Sequence, residues 1–129
     1  MGKKNKIVLC DSNILFGLLK GNEEIKNNLE KIGEENIAFS IITHAEAFAG
    51  SSKNDLKKLK SFFAKHHLYH LSNEVSKVFN GLIISNHNYH ANWIPDALIA
   101  ATALSNQLEI YTLNKKDFEF ISDLKLYKP

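Results

Sequence analysis

The sequence contains no arginine: all sixteen of its basic residues are lysines. Base reading through guanidinium forks is therefore excluded, while point-charge contact with a phosphate backbone stays open. There is one cysteine, Cys10, so no disulfide can form within the chain. It lies in the apolar run Ile7-Val8-Leu9-Cys10, which predicts a buried, inert thiol. One cysteine suits a reducing, cytoplasmic setting and disfavours a structural zinc site, which usually uses several. The two prolines, Pro95 and Pro129, mark no domain boundary. No apolar run approaches the ~20 residues of a membrane span. The basic start is followed by an apolar segment too short for a signal peptide and interrupted by Asp11. Met1-Gly2 lacks the hydroxyl residue at position 6 that myristoylation needs. A formal charge of +2 neither requires nor rules out a nucleic-acid partner.

What is present is one domain's worth of chain, read as a single domain over residues 1–129. With 44% hydrophobic and 23% charged residues it has the composition of a globular protein. Short apolar runs alternate with helical patterns, which predicts an α/β sandwich on a parallel sheet. Strands are expected at Ile7–Cys10, Ile37–Ser40, Tyr69–Leu71 and Glu109–Thr112, with a weak fifth at Leu124–Tyr127. Ser12, Asn22, Asn54, and Ser72 or Asn73 are expected to cap helices; Gly21 and Gly33 to end them. A further helix should run from about Ile42 to Gly50. Pro95 suits a first helical position. The following run, Ala97 to Leu104, is apolar on every side, as in a central helix.

Four acids break apolar contexts. Asp11 follows the first strand directly. Glu46 interrupts an apolar helical segment, Asp96 opens the all-apolar helix, and Asp117 follows the fourth strand by a short turn. An ionised carboxylate is costly to bury unless it is paired or bound to a cation. In open α/β sheets, sites form beyond the carboxyl ends of strands where strand order reverses. Asp11 and Asp117 would share such a crevice if strands one and four were neighbours. An all-oxygen donor set selects a hard divalent cation, Mg²⁺ or Mn²⁺, suited to phosphodiester chemistry. Each acid alone also has a structural explanation. Asp11 and Asp117 can cap, Asp96 can favour a helix dipole, and Glu46 fits a capping box with Thr43.

At these residues the sequence resembles the PIN-domain nucleases. Ile7-Val-Leu-Cys-Asp11-Ser-Asn13 is similar to their opening strand and acid. Ile42-Thr-His-Ala-Glu46-Ala-Phe-Ala-Gly50 is similar to their second acidic motif. Ile94-Pro-Asp96-Ala-Leu-Ile-Ala-Ala-Thr-Ala-Leu104 is close to the third and is the most specific. Tyr111-Thr112-Leu-Asn114-Lys-Lys-Asp117 resembles the fourth. Size and the lack of extra domains resemble the toxin halves of VapBC toxin–antitoxin pairs. The resemblance implies a three-layer α/β/α sandwich on a mostly parallel five-stranded sheet. It implies Mg²⁺- or Mn²⁺-dependent RNA hydrolysis, a homodimer and a cognate antitoxin. Carried over by motif, Asp11, Glu46, Asp96 and Asp117 are the metal-binding, catalytic acids. Asn13, Thr112 and Asn114 match supporting polar positions; Thr112 and Asn114 also suit a plain turn. A PIN-like fold kept as an inactive binding or scaffold module is the alternative. An aspartyl nucleophile at Asp11 is disfavoured because Asn13 stands where a second acid is expected.

The sequence departs from the family in its arginine-free composition and in the His- and aromatic-rich stretch from Ser85 to Trp93. His87 and His90, with Tyr89 and Trp93, are candidates to stack on RNA bases or simply to end a helix. Lys115 and Lys116 are candidates to hold the RNA backbone or to sit in an exposed turn. Lys53, Lys57, Lys58, Lys60 and Lys65 read as a solvated helix face. Phe48, Leu59, Phe62 and Phe63 read either as core or as a groove for a partner's helix. The spacing of His66, His67 and His70, and of His87 and His90, is only loosely zinc-like.

Overall fold

The computed structural model describes residues 6–129; the Met1-Gly2 reading lies outside them. Four strands form one parallel sheet: β1 (Val8–Cys10), β2 (Ile37–Ser40), β3 (His67–Tyr69) and β4 (Glu109–Tyr111). Their order is β3-β2-β1-β4. Every residue of β1 and β2 is buried, as expected for strands covered on both faces. Successive residues alternate between two cores. Val8, Cys10, Ile37, Phe39 and Tyr111 belong to one, Leu9, Ala38 and Ile110 to the other.

The helices are α1 (Ser12–Leu19), α2 (Glu23–Ile32), α3 (Ile41–Ala49), α4 (Leu56–Ala64), α5 (Asn73–Ser85) and α6 (Ile94–Asn106). Ile14, Leu15, Ile25, Leu29, Leu59 and Phe63 from α1, α2 and α4 fill the first core. The second takes Ala97, Ile99, Ala100 and Ala103 of α6, with Phe79, Leu82 and Ile83 of α5 packed against it. Sandwiched in this way, α6 is apolar all round because sheet and helix both cover it. The result is the expected three-layer sandwich.

Chain order and spatial order part company at one place. The chain runs from β1 outward through β2 to β3, then returns to lay β4 on the free side of β1. The reversal between β1 and β4 opens a crevice at their carboxyl ends. Cys10 pairs with Tyr111 there, so the adjacency on which the acidic crevice depends is present.

Several boundaries differ from expectation. Among the described residues the sheet has four strands, not five. Leu124–Tyr127 reaches it through one bridge, Ile110↔Leu126, with Ile110 N donating to Lys125 O at 2.9 Å and Tyr127 N to Ile110 O at 2.8 Å. That segment follows a turn with Asp123 at φ 68°, and Leu126 is the residue that comes into register. β3 lies two residues early because it pairs along Ala38–Ser40, and His66 Nδ1 and His67 Nε2 bond Glu34 O and Glu35 O just before β2. Ser12 is the first residue of α1 rather than its cap; Asp11 is the cap. A 3₁₀ turn, Lys53–Asp55, displaces the Asn54 cap, and Ser52 Oγ bonds Asp55 Oδ2 at 3.0 Å instead. Asn22 and Ser72 cap as expected. Gly21 (φ 88°) and Gly33 (φ 95°) take the positive φ that terminates their helices without a Cβ clash.

Candidate active site

The Asp11 carboxylate sits where β1 gives way to α1 and is 4% exposed. Its Oδ1 accepts from Ser12 N at 2.8 Å, and its Oδ2 accepts from the Thr112 hydroxyl at 2.7 Å. Thr112 is the first residue after β4, so this bond ties the two strands across the crevice. The same hydroxyl oxygen accepts from Asn114 N at 3.0 Å and from Asn13 Nδ2 at 3.4 Å. Asn13 Oδ1 in turn accepts from Leu113 N at 3.2 Å. The three expected supporting residues therefore form one strut behind Asp11. They also shape the turn after β4, as the plain turn reading of Thr112 and Asn114 expects.

Asp117 ends a 3₁₀ turn, Lys115–Asp117, and is 7% exposed. Its Oδ1 accepts from the Tyr89 hydroxyl at 2.5 Å, its Oδ2 from the Asn114 amide, and its backbone carbonyl from Trp93 Nε1 at 2.9 Å. Glu46 projects from α3 and is exposed; its Oε1 accepts from Ser12 Oγ at 2.5 Å. Ser12 Oγ also lies 2.9 Å from Thr43 Oγ1. The capping-box explanation of Glu46 does not hold, because Ser40 Oγ already receives Ile42 N and Thr43 N at the start of α3. Asp96 lies in the first turn of α6, half-buried, and its carboxylate has no hydrogen-bond partner among the described residues.

These acids share one electrostatic field. Burial, then the charges of Asp11, Asp117 and Glu46, push the Asp96 carboxyl up to about 7. Burial also raises Asp11; bonds from Thr112 and Ser12 pull it back, while Glu46 and Asp117 push it further up. Among the described residues, no lysine or histidine pairs with any of the four; the ion pair found is Lys6–Glu109 at 3.5 Å. Nor do any three His, Cys, Asp or Glu groups there close into a tight coordination cage. The arrangement is an open acidic rim of hard oxygen donors carrying uncompensated charge. That donor set fits Mg²⁺ or Mn²⁺ and does not fit a thiophilic metal.

Other candidates separate clearly. Cys10 is fully buried and its thiol is pushed far up by burial, then by Asp11, so it is inert. His66 and His67 bond backbone carbonyls, which answers the zinc reading for that pair. His87, His90, Lys115 and Lys116 are exposed, the two lysines immediately before Asp117. The lysines of the fourth helix and its approach are exposed as expected, and Leu59 and Phe63 are core. Ser12 and the Tyr89 hydroxyl were not anticipated as carboxylate partners. A hydroxyl directly after a strand-end acid was the available signal for Ser12; for Tyr89 there was only aromatic enrichment.

The chain matches the model of the PIN domain over residues 8–123. It is 28% identical to "Ribonuclease VapC1" of Methanocaldococcus jannaschii, covering 97% of this chain and 90% of that relative. Among solved structures, it is similar to a toxin–antitoxin complex from Klebsiella pneumoniae: 29% identity, TM-score 0.78, covering 95% and 99% of the two chains. A second is VapBC2 from Rickettsia felis bound to a DNA fragment from its promoter: 27% identity, TM-score 0.78, covering 94% and 97%.

Proposed function

The chain belongs to the PIN-domain family, and on that premise we propose that it is a ribonuclease that hydrolyses RNA phosphodiesters with Mg²⁺ or Mn²⁺. Asp11, Glu46, Asp96 and Asp117 are the acids of the reaction. One observation carries the reading: four carboxylates share one electrostatic field at the β1–β4 crevice without a countercharge among the described residues, and burial, followed by the charges of the other three, pushes Asp96 up to about 7. Such repulsion is tolerable at a functional site and wasteful elsewhere.

A divalent ion bound there would orient a phosphodiester, acidify a water and stabilise the leaving oxygen. The chain's own residues prepare that site. Thr112 and the Ser12 amide hold the Asp11 carboxylate in one orientation; Tyr89 and Asn114 do the same for Asp117. Asp96, without such ties, offers its oxygens to the ion. Glu46, exposed and held only through Ser12, is the acid placed to orient a water. In-line attack would leave 5′-phosphate and 3′-hydroxyl ends.

The relative and the structural neighbours named above support a toxin role with a protein antitoxin. Between α1, α3 and α4 lies a groove of about 480 Å³ lined by Phe16, Leu19, Ala47, Leu59 and Phe62, with Glu46 at its edge. Leu19 is 54% exposed. An amphipathic antitoxin helix would cover that surface. A homodimer and a cytoplasmic location complete the reading. No helix of the described residues is long and apolar enough to cross a membrane.

The test is cleavage of RNA by purified protein with Mg²⁺ or Mn²⁺, against EDTA and against Asp96→Asn. Metal-dependent cutting abolished by the substitution supports the proposal. Absence of cutting, or an Asp96→Asn protein as active as the parent, would leave the inactive binding module as the better account.

A further inference from the structure

Beside Asp117 lies a cluster of aromatic rings that the hydrolytic reading does not use. Tyr89 is its hub. Its ring centroid is 4.4 Å from that of His90, 5.1 Å from Trp93 and 5.2 Å from Phe120; Trp93 and Phe120 are 5.5 Å apart. Trp93 is the floor, 1% exposed and anchored through its indole N–H to Asp117 O. Above it, His90 is exposed and Phe120 is 43% exposed. Core packing does not explain a large aromatic side chain left open in this way, since an exposed ring forgoes its burial energy.

Two further observations say what the cluster faces. The Tyr89 hydroxyl donates to Asp117 Oδ1, so the platform is continuous with the acidic rim. Lys115 and Lys116, both exposed, precede Asp117 on the same turn and supply positive charge beside it. Flat π-surfaces, nearby lysines and a phosphodiester-cutting rim are together the chemistry of single-stranded nucleic acid: bases stack and phosphates pair. A duplex base, already stacked, could not lie on the rings. With no arginine in the chain, guanidinium planes are excluded, and the aromatic rings are the π-surfaces this edge offers a base.

We propose that His90, Tyr89 and Phe120, on the Trp93 floor, form a stacking subsite for an unpaired RNA base next to the scissile phosphodiester. The proposal rests on the ribonuclease reading for the identity of the strand, but the platform's own property is base-dependent binding. It makes the enzyme a cutter of unpaired RNA with a preference set by stacking strength, purines over pyrimidines.

The experiment uses short single-stranded RNA oligonucleotides carrying one 2-aminopurine or one abasic residue, stepped along the strand, with the full-length protein. Quenching of 2-aminopurine at one register, and a loss of affinity of about 5- to 150-fold when that base is removed, are the expected results. His90→Ala and Phe120→Ala should each lower affinity for intact RNA and leave the abasic strand unaffected; Phe120→Trp should restore it. Parent and variants that bind intact and abasic RNA alike overturn the proposal. So does a change of oligomeric state in Phe120→Ala, by light scattering, with RNA binding unaltered, which would assign the rings to a protein contact. Base-dependent binding with no cleavage in Mg²⁺ or Mn²⁺ would support the subsite while removing the hydrolytic reading; cleavage with base-independent binding would do the reverse.

Discussion

The acidic rim has two unlike halves. On one side, Asp11 and Asp117 are almost fully buried, and every one of their carboxylate oxygens accepts a hydrogen bond: Ser12 N, Thr112 Oγ1, Tyr89 OH and the Asn114 amide. On the other, Asp96 and Glu46 stand on helices, Asp96 with no partner among the described residues and Glu46 with the Ser12 hydroxyl. Asp11 is more buried than Asp96, yet Asp96 is the acid driven to about 7. Burial alone therefore does not single out the strained carboxylate. What does is burial without compensating donors, in the field of three other acids. The tied half is held by the fold and fixes geometry; the loose half concentrates charge that a cation would relieve.

The sharpest way to break this contrast is to neutralise one acid from the loose half. Asp96→Asn should reduce RNA cleavage by more than about 100-fold, beyond what loss of an outer-shell partner typically costs. The same variant should melt higher than the parent in EDTA, because it removes an unrelieved charge. Loss of activity with a gain in metal-free stability is the signature; a variant that is inactive and less stable would deny that Asp96 is strained. Thr112→Val attacks the tied half, with the opposite consequence for stability. It leaves Asp11 Oδ2 without its donor and Asn114 N without its acceptor. Stability should fall by about 1–3 kcal/mol in urea unfolding and cleavage by about 10- to 100-fold. Ser12→Ala touches the link between the halves. It frees Glu46 and removes the partner of the buried Thr43 hydroxyl while keeping the Ser12 amide on Asp11, so cleavage should fall by less than about 10-fold and stability by about 1 kcal/mol.

The two halves were not equally readable in the sequence. All four acids were visible because each interrupts an apolar context, and Asp96 most of all, at the head of a helix apolar on every side. The helix caps at Asn22 and Ser72 and the stops at Gly21 and Gly33 were visible because they are local chemistry. What joins the acids was not. The β1–β4 adjacency is a pairing between Cys10 and Tyr111, about a hundred residues apart, which no periodicity encodes. The Tyr89–Asp117 bond spans 28 positions and the Ser12–Glu46 bond 34. Leu124–Tyr127 had the alternation of a strand, but alternation reports which faces are apolar and not whether a ladder partner lies in register; only Leu126 finds one. Asp11 shows the opposite failure. In the sequence a cap and a site acid are rival explanations, whereas in the structure its carboxylate caps α1 and also acts through its charge on Asp96.

The smallest predicted effect sharpens the contrast through pH. Asp96 is raised in the folded protein from 3.8 to about 7, and Asp11 is raised as well, burial leading in both cases. Between those values the native state holds protons that the unfolded chain has lost. Stability contributed by a raised acid is thus complete below the unfolded value and lost as pH climbs through the folded one. In EDTA, Tm should rise on acidification from about pH 8 to about pH 5.5, contrary to the trend expected where native carboxylates are ion-paired. Asp96→Asn should flatten that slope. Adding Mg²⁺ should raise Tm most at the alkaline end, where the carboxylates are ionised, and least at the acid end, where protons compete with the ion. Calorimetric scans of parent and variant, with and without Mg²⁺, read all three. A metal-free Tm that rises with pH over this interval in the parent would mean that the carboxylates are compensated from within the chain, and the loose half of the rim would then have no charge left for a cation to relieve.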